Sequence, residues 1–298
     1  MRRYEMWEAE YRCRPYLRFA TMEQIEERVF HIVNNVRTLT HDNKIGALQF
    51  DKGGEFWAAR MSHVIEEMRR RGGGLPPISN YADELKGVTA PIPEVESRIE
   101  GLGLSPDRCF VKFSRREYNE EAFRTGHIRI GAASSYDSDA LARAVRDREL
   151  ERVTYPSDDP FTISPHSSEA PRRLVESKRR STTDYFLYSL AQSYERRLFH
   201  DFRADSCLLI RDINAFVERV IHAVVKRFPS FIYAARTVSY YDPFDAAVER
   251  LDIQFSKPFG YAYQKEFRIA WLPRERQQRL VPFFVDIGSL EDIAELVV

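Results

Sequence analysis

The sequence predicts an α+β protein: a helical N-terminal region followed by a mixed or antiparallel sheet domain with few helices. Three observations carry this. Apolar residues recur at helical spacing through the first hundred positions; beyond about residue 103 the texture changes to short alternating runs rich in aromatic and branched residues; and the later helices are sparse and irregularly placed. A doubly wound sheet would set a helix beside every strand. With 298 residues, 43% hydrophobic and 13% aromatic, the chain has ample material for a core in one large domain or two modest ones. Composition divides it into a helical region and connector at 1–103 and an α+β domain at 104–298, the candidate catalytic part.

In the helical region Thr21, followed by Glu23, Gln24 and Glu26, makes a capped, acidic helix start, and Ile25, Val29, Ile32, Val33 and Val36 recur behind it. A second helix over 54–71 places Phe56, Ala59, Val64, Ile65 and Met68 on one side, and the Gly72-Gly-Gly-Leu-Pro-Pro77 run ends it. The stretch 79–106, dotted with proline and glycine, reads as a connector with a short helix over 93–102. Strands are predicted over 108–113, 127–133, 184–190, 206–210, 237–241, 252–257, 260–271 and 280–287. One strong helix, 213–228, interrupts them with the stripe Phe216, Val217, Val220, Ile221, Val224 and Val225 and with Asp212 as its N-cap. A short helix over 290–296 follows, and 155–183 has the composition of a long surface loop.

Several function classes lose support. The 45 basic and 45 acidic residues cancel, so no global field draws the chain to nucleic acid or to an anionic membrane. Cys13, Cys109 and Cys207 lie far apart, which argues against a disulfide framework and a zinc site, and the seven histidines are scattered singly. Residues 1–11 are too charged for a signal peptide, and no apolar run approaches the roughly 20 residues of a membrane span. The chain therefore reads as cytoplasmic. The phosphate-loop, serine-elbow, His-Glu-x-x-His and Gly-x-Gly-x-x-Gly patterns are all missing.

The most informative stretch is 259–271. As one strand it divides into a mostly apolar face, with Tyr261, Tyr263, Phe267, Ile269 and Trp271, and a face with Gln264, Glu266 and Arg268 between Ala262 and Ala270. An amide and a carboxylate two residues apart can meet the same ligand, the carboxylate stabilising positive charge at an anomeric carbon. The structural alternative pairs Glu266 with Arg268 or Lys265 on an exposed face. Three further features accompany it. Phe110-Val-Lys-Phe-Ser114 leads through a short helix and Gly126 to a second strand carrying Arg129, and turns Lys112 away from Val111 and Phe113. Arg146-Asp-Arg-Glu149 is either a phosphate site or a solvated salt-bridged face. Asp184-Tyr-Phe-Leu-Tyr-Ser-Leu-Ala191 places Ser189 on the face opposite Tyr188, either bonding local backbone or bracing a carboxylate next door.

In that order, Lys112, Ser189 and Gln264-Lys265-Glu266 resemble the basic residue, the serine and the Gln-x-Glu of the ADP-ribosyltransferase toxin fold, over roughly 110–271. The chain is also similar to poorly characterised bacterial toxin and antiphage-defence families with a late Tyr-x-x-Glu-x-Arg-like strand. The resemblance implies a split sheet and a bacterial effector that takes NAD as substrate, cleaves its nicotinamide–ribose bond and transfers ADP-ribose to an acceptor protein or nucleic acid. Glu266, Gln264 and Ser189 would be catalytic; Lys112, Arg129, Tyr188 and Tyr263 would bind the dinucleotide; no metal is implied. The pattern departs from the family in carrying lysine for arginine or histidine and a lone serine for Ser-Thr-Ser.

Other readings remain open from sequence. The same pocket serves an NAD glycohydrolase if water is the acceptor. Glu176-Ser-Lys178 or the acids near Asp252 suit a metal-dependent nuclease. A non-enzymatic sensor or antitoxin-like protein would dock a partner through Phe56, Trp57, Met61 and Met68 on the N-terminal helices.

Overall fold

Thr21 caps its helix as predicted: its hydroxyl accepts from the Gln24 amide at 3.2 Å, and the Gln24 side chain accepts from the Thr21 amide at 2.9 Å. The computed structural model, which describes residues 2–76, 92–138, 141, 144–155, 176–245 and 251–298, begins with α1 (Arg3–Cys13), α2 (Met22–Val36) and α3 (Gly54–Arg70). A small antiparallel hairpin of β1 (Arg37–Leu39) and β2 (Ile45–Ala47) lies between α2 and α3. The stripe Ile25, Val29 and Ile32 packs with Tyr11, Trp57, Val64 and Met68 in one cluster, which also takes in Phe244 and Phe259 from far along the chain. Of the anchors in the interaction reading, Trp57 and Met68 are therefore core residues, while Phe56 is exposed.

After α4 (Glu96–Gly101) come β3 (Phe110–Ser114), α5 (Arg116–Thr125) and β4 (His127–Ala132), the predicted strand, helix, glycine turn and strand. Gly126 supplies the turn at φ 74°, and the Gly288 carbonyl lies so close that a Cβ would stand 2.0 Å from its oxygen. The remaining elements are β5 (Glu151–Thr154), β6 (Ser177–Arg180), β7 (Phe186–Ala191), α6 (Arg197–Asp201), β8 (Ser206–Ile210), α7 (Ile213–Arg227), β9 (Phe231–Thr237), β10 (Ser239–Tyr241), β11 (Ser256–Pro258), β12 (Glu266–Pro273), β13 (Phe283–Asp286) and β14 (Ala294–Val297).

An eight-stranded sheet runs β13-β4-β7-β3-β8-β14, with β12 on the other edge of β7 and β9 beyond β12, every pair antiparallel. β7 is a branch point. β12 follows it along its whole length, while the opposite edge is shared by β4, which pairs at Phe186 and Leu187, and β3, which pairs at Ala191. The alternation read from sequence holds in both central strands. Phe186, Tyr188, Leu190, Ile269 and Trp271 face the cluster under α7, and Tyr185, Leu187 and Ala270 face the other way. Asp212 caps α7 by accepting from the Ala215 amide at 3.0 Å.

Three of the predicted elements take another form, and β9 lies where no strand is predicted before residue 237. The predicted strand over 260–271 starts only at Glu266; Phe259–Gln264 is a 3₁₀ helix, closed by Lys265 at φ 43°. Asn35 of α2 explains it, because its side chain donates to the Phe259 and Gly260 carbonyls at 3.0 and 3.2 Å and accepts from the Tyr263 amide at 2.8 Å. A side chain thus meets backbone groups that a strand would give to a neighbour. The predicted helix over 290–296 ends instead in β14, whose ladder with β8 outweighs its local helical pattern. Half of the predicted strand 252–257 is a 3₁₀ turn, Ile253–Phe255, before β11. Of the long loop 155–183, residues 156–175 lie outside the described residues, and β6 pairs with β5. Among the described residues no helix is long and apolar enough to cross a membrane.

Candidate functional site

Ser189 stands directly across the ladder from Arg268, with Glu266 the next residue on the same face of β12. The Ser189 hydroxyl donates to Glu266 Oε1 at 2.5 Å, and Arg268 Nε donates to the same oxygen at 2.8 Å. The rest of the guanidinium is also filled. It donates to both oxygens of Glu149 at 2.6 and 2.8 Å and to the Gln254 carbonyl at 2.8 Å, with the side chain wholly buried. This fork-to-fork geometry is one that arginine alone provides.

A second cation completes the network. Lys257 Nζ lies 2.9 Å from Glu266 Oε2, 3.4 Å from Glu149 Oε1 and 3.2 Å from Asp147 Oδ2. Burial disfavours charge on Glu266, but Arg268 and Lys257 outweigh it and hold the carboxyl far below the usual range. The same carboxylates hold Lys257 and Arg268 firmly protonated against their own burial. Asp147 goes the other way: burial, reinforced by Glu149, pushes its carboxyl up to about 7 despite Lys257 and Arg268. Of the predicted Arg146–Glu149 cluster, Arg146 and Arg148 are exposed, whereas Asp147 and Glu149 turn inward. The solvated-face alternative is thus corrected for the two acids, which are buried because their cations are.

Lys112 of β3 lies on the other face of the sheet, with Leu208 and Tyr188. Where β3 and β4 part along β7, its Nζ donates to the Ser189 carbonyl at 3.0 Å and lies 4.4 Å from the Tyr188 ring centroid. Burial lowers this lysine to about 8, partly offset by Glu266. Arg129 is exposed on β4, and its charge acts on Lys112 and on Tyr136. Tyr136 covers Gly131 so closely that a Cβ there would come within 2.3 Å of the phenol oxygen, and its phenol also feels Glu149, Glu266 and Arg268.

The structure therefore brings Ser189 and Glu266 together, sets Lys112 on the Tyr188 side of the sheet with its ammonium on the Ser189 backbone, and leaves three other predicted residues in different settings. Gln264 precedes the strand, so it does not share a strand face with Glu266; its amide donates to the Ala144 carbonyl at 2.8 Å. Tyr188 lies in the core on the opposite face of β7. Tyr263 has the Arg197 guanidinium 3.9 Å from its ring centroid, so one ring face is taken. Glu176 pairs with Lys178 at 3.0 Å, and among the described residues no three His, Cys, Asp or Glu side chains are placed to hold a metal.

Beside the network opens a cleft of about 1140 Å³, walled by α2, β5 and the 3₁₀ helix over 259–264. Asp147 lines it, with Tyr241, Tyr261 and His31 among its aromatic residues. Asp147, Glu149 and Lys257 were not singled out individually from sequence. The signal was the alternation of Arg146 to Glu149, which puts the acids on one side and the arginines on the other, as a strand would. No family model matches the chain, and neither does a curated protein or a solved structure.

Proposed function

We propose that the chain consumes NAD, cleaving the nicotinamide–ribose bond at Glu266. The observation that carries this is the Ser189–Glu266 hydrogen bond, which joins the serine and the glutamate of the resemblance across two central strands. A carboxylate offers about four acceptor positions. Oε1 uses two, for Ser189 and Arg268, and Oε2 uses one, for Lys257. In this proposal the fourth takes a hydroxyl of the nicotinamide ribose. With Asp147 ionised, three carboxylates face two cations, and the excess negative charge, held in a buried setting, stabilises an oxocarbenium-like transition state. Arg129, on the exposed side of β4, supplies positive charge for the pyrophosphate.

The acceptor follows from Gln264. The residue that would orient an acceptor group in a transferase has its amide on the Ala144 carbonyl, which favours water over a macromolecular acceptor and glycohydrolysis over transfer. The test is Glu266→Gln. The variant retains its fold in circular dichroism, at a stability cost of about 3 kcal/mol, and loses at least about 100-fold in NAD cleavage. Wild-type turnover in the folded variant sinks the reading. Mass analysis of the product decides between free ADP-ribose and an ADP-ribose adduct.

A further inference from the structure

We infer that two copies of this chain join through β9, the edge strands pairing antiparallel about Ala234 so that the two sheets run on as one. β9 pairs with β12 on one side, and among the described residues no strand lies beyond it. The ladder fixes which of its backbone groups face outward. The Val238 amide donates to the Glu266 carbonyl at 2.9 Å, and the same register sets Tyr233 across from Trp271 and Ala235 across from Ile269. Along an antiparallel strand, residues alternate between turning their amide and carbonyl toward the neighbour and turning them away. The even-numbered positions of β9 therefore serve β12. Tyr233 and Ala235 aim theirs out of the sheet, where among the described residues they meet no backbone partner.

Natural sheets protect such an edge with a charge, a proline, a bulge or a covering element. Phe231-Ile-Tyr-Ala-Ala235 carries neither charge nor proline, and Ile232 and Tyr233 are 51% and 53% exposed on opposite faces of the strand. Arg236 is the one charge in β9, and it is engaged within the molecule: it donates to Asp252 at 2.9 Å and lies 4.2 Å from the Phe255 ring centroid. The opposite edge of the sheet differs, since β13 has only four residues and ends on Asp286, 2.6 Å from His127 Nδ1.

The occupant is a second copy because the strand is complementary to itself. A two-fold axis at Ala234 sets Tyr233 against Ala235 of the second copy and Ala235 against Tyr233 of the second copy, so that the outward amides and carbonyls bond each other. In that register each large side chain meets a small or a long one. Tyr233 lies opposite Ala235, Phe231 opposite Thr237 and Ile232 opposite Arg236, and the two Ala234 side chains meet at the axis. A formal net charge of zero leaves no overall repulsion between copies. Seven residues of strand make an interface at the small end of the usual range, so the dimer is weak and reversible.

The experiment is sedimentation velocity on the full chain over about a hundredfold range of concentration, with circular dichroism on each variant. The wild type should pass reversibly from monomer to dimer. Tyr233→Pro deletes an outward donor, twice by symmetry, and none that serves β12, so it should keep the fold and weaken the dimer at least about tenfold. Ile232→Lys sets a cation against Arg236 of the second copy and should weaken it comparably, whereas Ile232→Glu sets an anion there and should not. A wild type that stays monomeric throughout overturns the inference, as does a dimer that Tyr233→Pro or Ile232→Lys leaves unchanged. Equal losses in Ile232→Lys and Ile232→Glu overturn it too, since the strands would not then meet about Ala234. If Tyr233→Pro does not fold, the two substitutions at the exposed Ile232 decide.

Discussion

At the scale of single residues, Asp147 ties stability to pH in a direction opposite to most acids. Its folded value of about 7 lies above the ordinary 3.8, so the folded chain holds this proton more tightly than the unfolded chain does. The contribution is fully present below about pH 4 and is lost as pH rises through 7. Urea unfolding should therefore show a decline between pH 5 and 8 that Asp147→Asn removes, with the variant the more stable at pH 8 by on the order of 2 kcal/mol. Parallel curves for the two proteins would contradict the buried setting assigned to Asp147. Ser189, Glu266 and Arg268 were legible in sequence because a two-residue period fixes which side chains share a face. The inward turn of Asp147 and Glu149 was only half legible: alternation separates acids from arginines, but which side is buried depends on Lys257 and Arg268, and their proximity is set by tertiary folding.

At the scale of elements, the segment before β12 is held by α2. Asn35 serves two carbonyls and one amide of the 3₁₀ helix over 259–264, and those groups have no strand beside them. Asn35→Ala removes these three hydrogen bonds in a buried setting, at a cost of about 2–4 kcal/mol in urea unfolding. The same variant should lower NAD cleavage, because the turn at Lys265 sets where Glu266 begins the strand. A loss below about 0.5 kcal/mol would show that the 3₁₀ helix forms without α2. This dependence is why the sequence misled over 259–265. A Gly-Tyr-Ala-Tyr alternation fits a strand by period, and only the partner in α2 decides against it. The short C-terminal strand was misjudged for a similar reason, since β8 offers an edge that local propensity does not reveal.

At the scale of the whole molecule, the change of texture near residue 103 marks a change of secondary structure, but the contacts cross it freely. Phe244 and Phe259 complete the cluster of the N-terminal helices. Arg28 of α2 is held by both oxygens of Asp242 at 2.7 and 2.8 Å, and Arg37 pairs with Asp201 at 3.0 Å. A fragment of residues 104–298 would uncover these apolar side chains and strand Asp242 without Arg28, while Asp201 keeps Arg197 at 2.7 Å. We expect it to lack a cooperative thermal transition; a soluble fragment that melts cooperatively with the β signal of the full chain would show that the sheet stands alone. The α+β class and the order of most elements were legible because they depend on local period and composition. The sharing of one cluster across the boundary was not, because it rests on contacts between residues distant in sequence.

The burial of the central network also divides how the molecule meets its solvent. Mobile ions screen charges over about 8 Å at physiological salt, but only where water reaches. Lys44 and Asp42, with side chains 79% and 55% exposed, sit within that atmosphere, whereas Arg268 and Glu266, at 0% and 8%, are beyond it. Salt therefore weakens the pairs on the surface and leaves the central ones at full strength, so that a salt titration reads the periphery of this protein and a proton titration reads its centre.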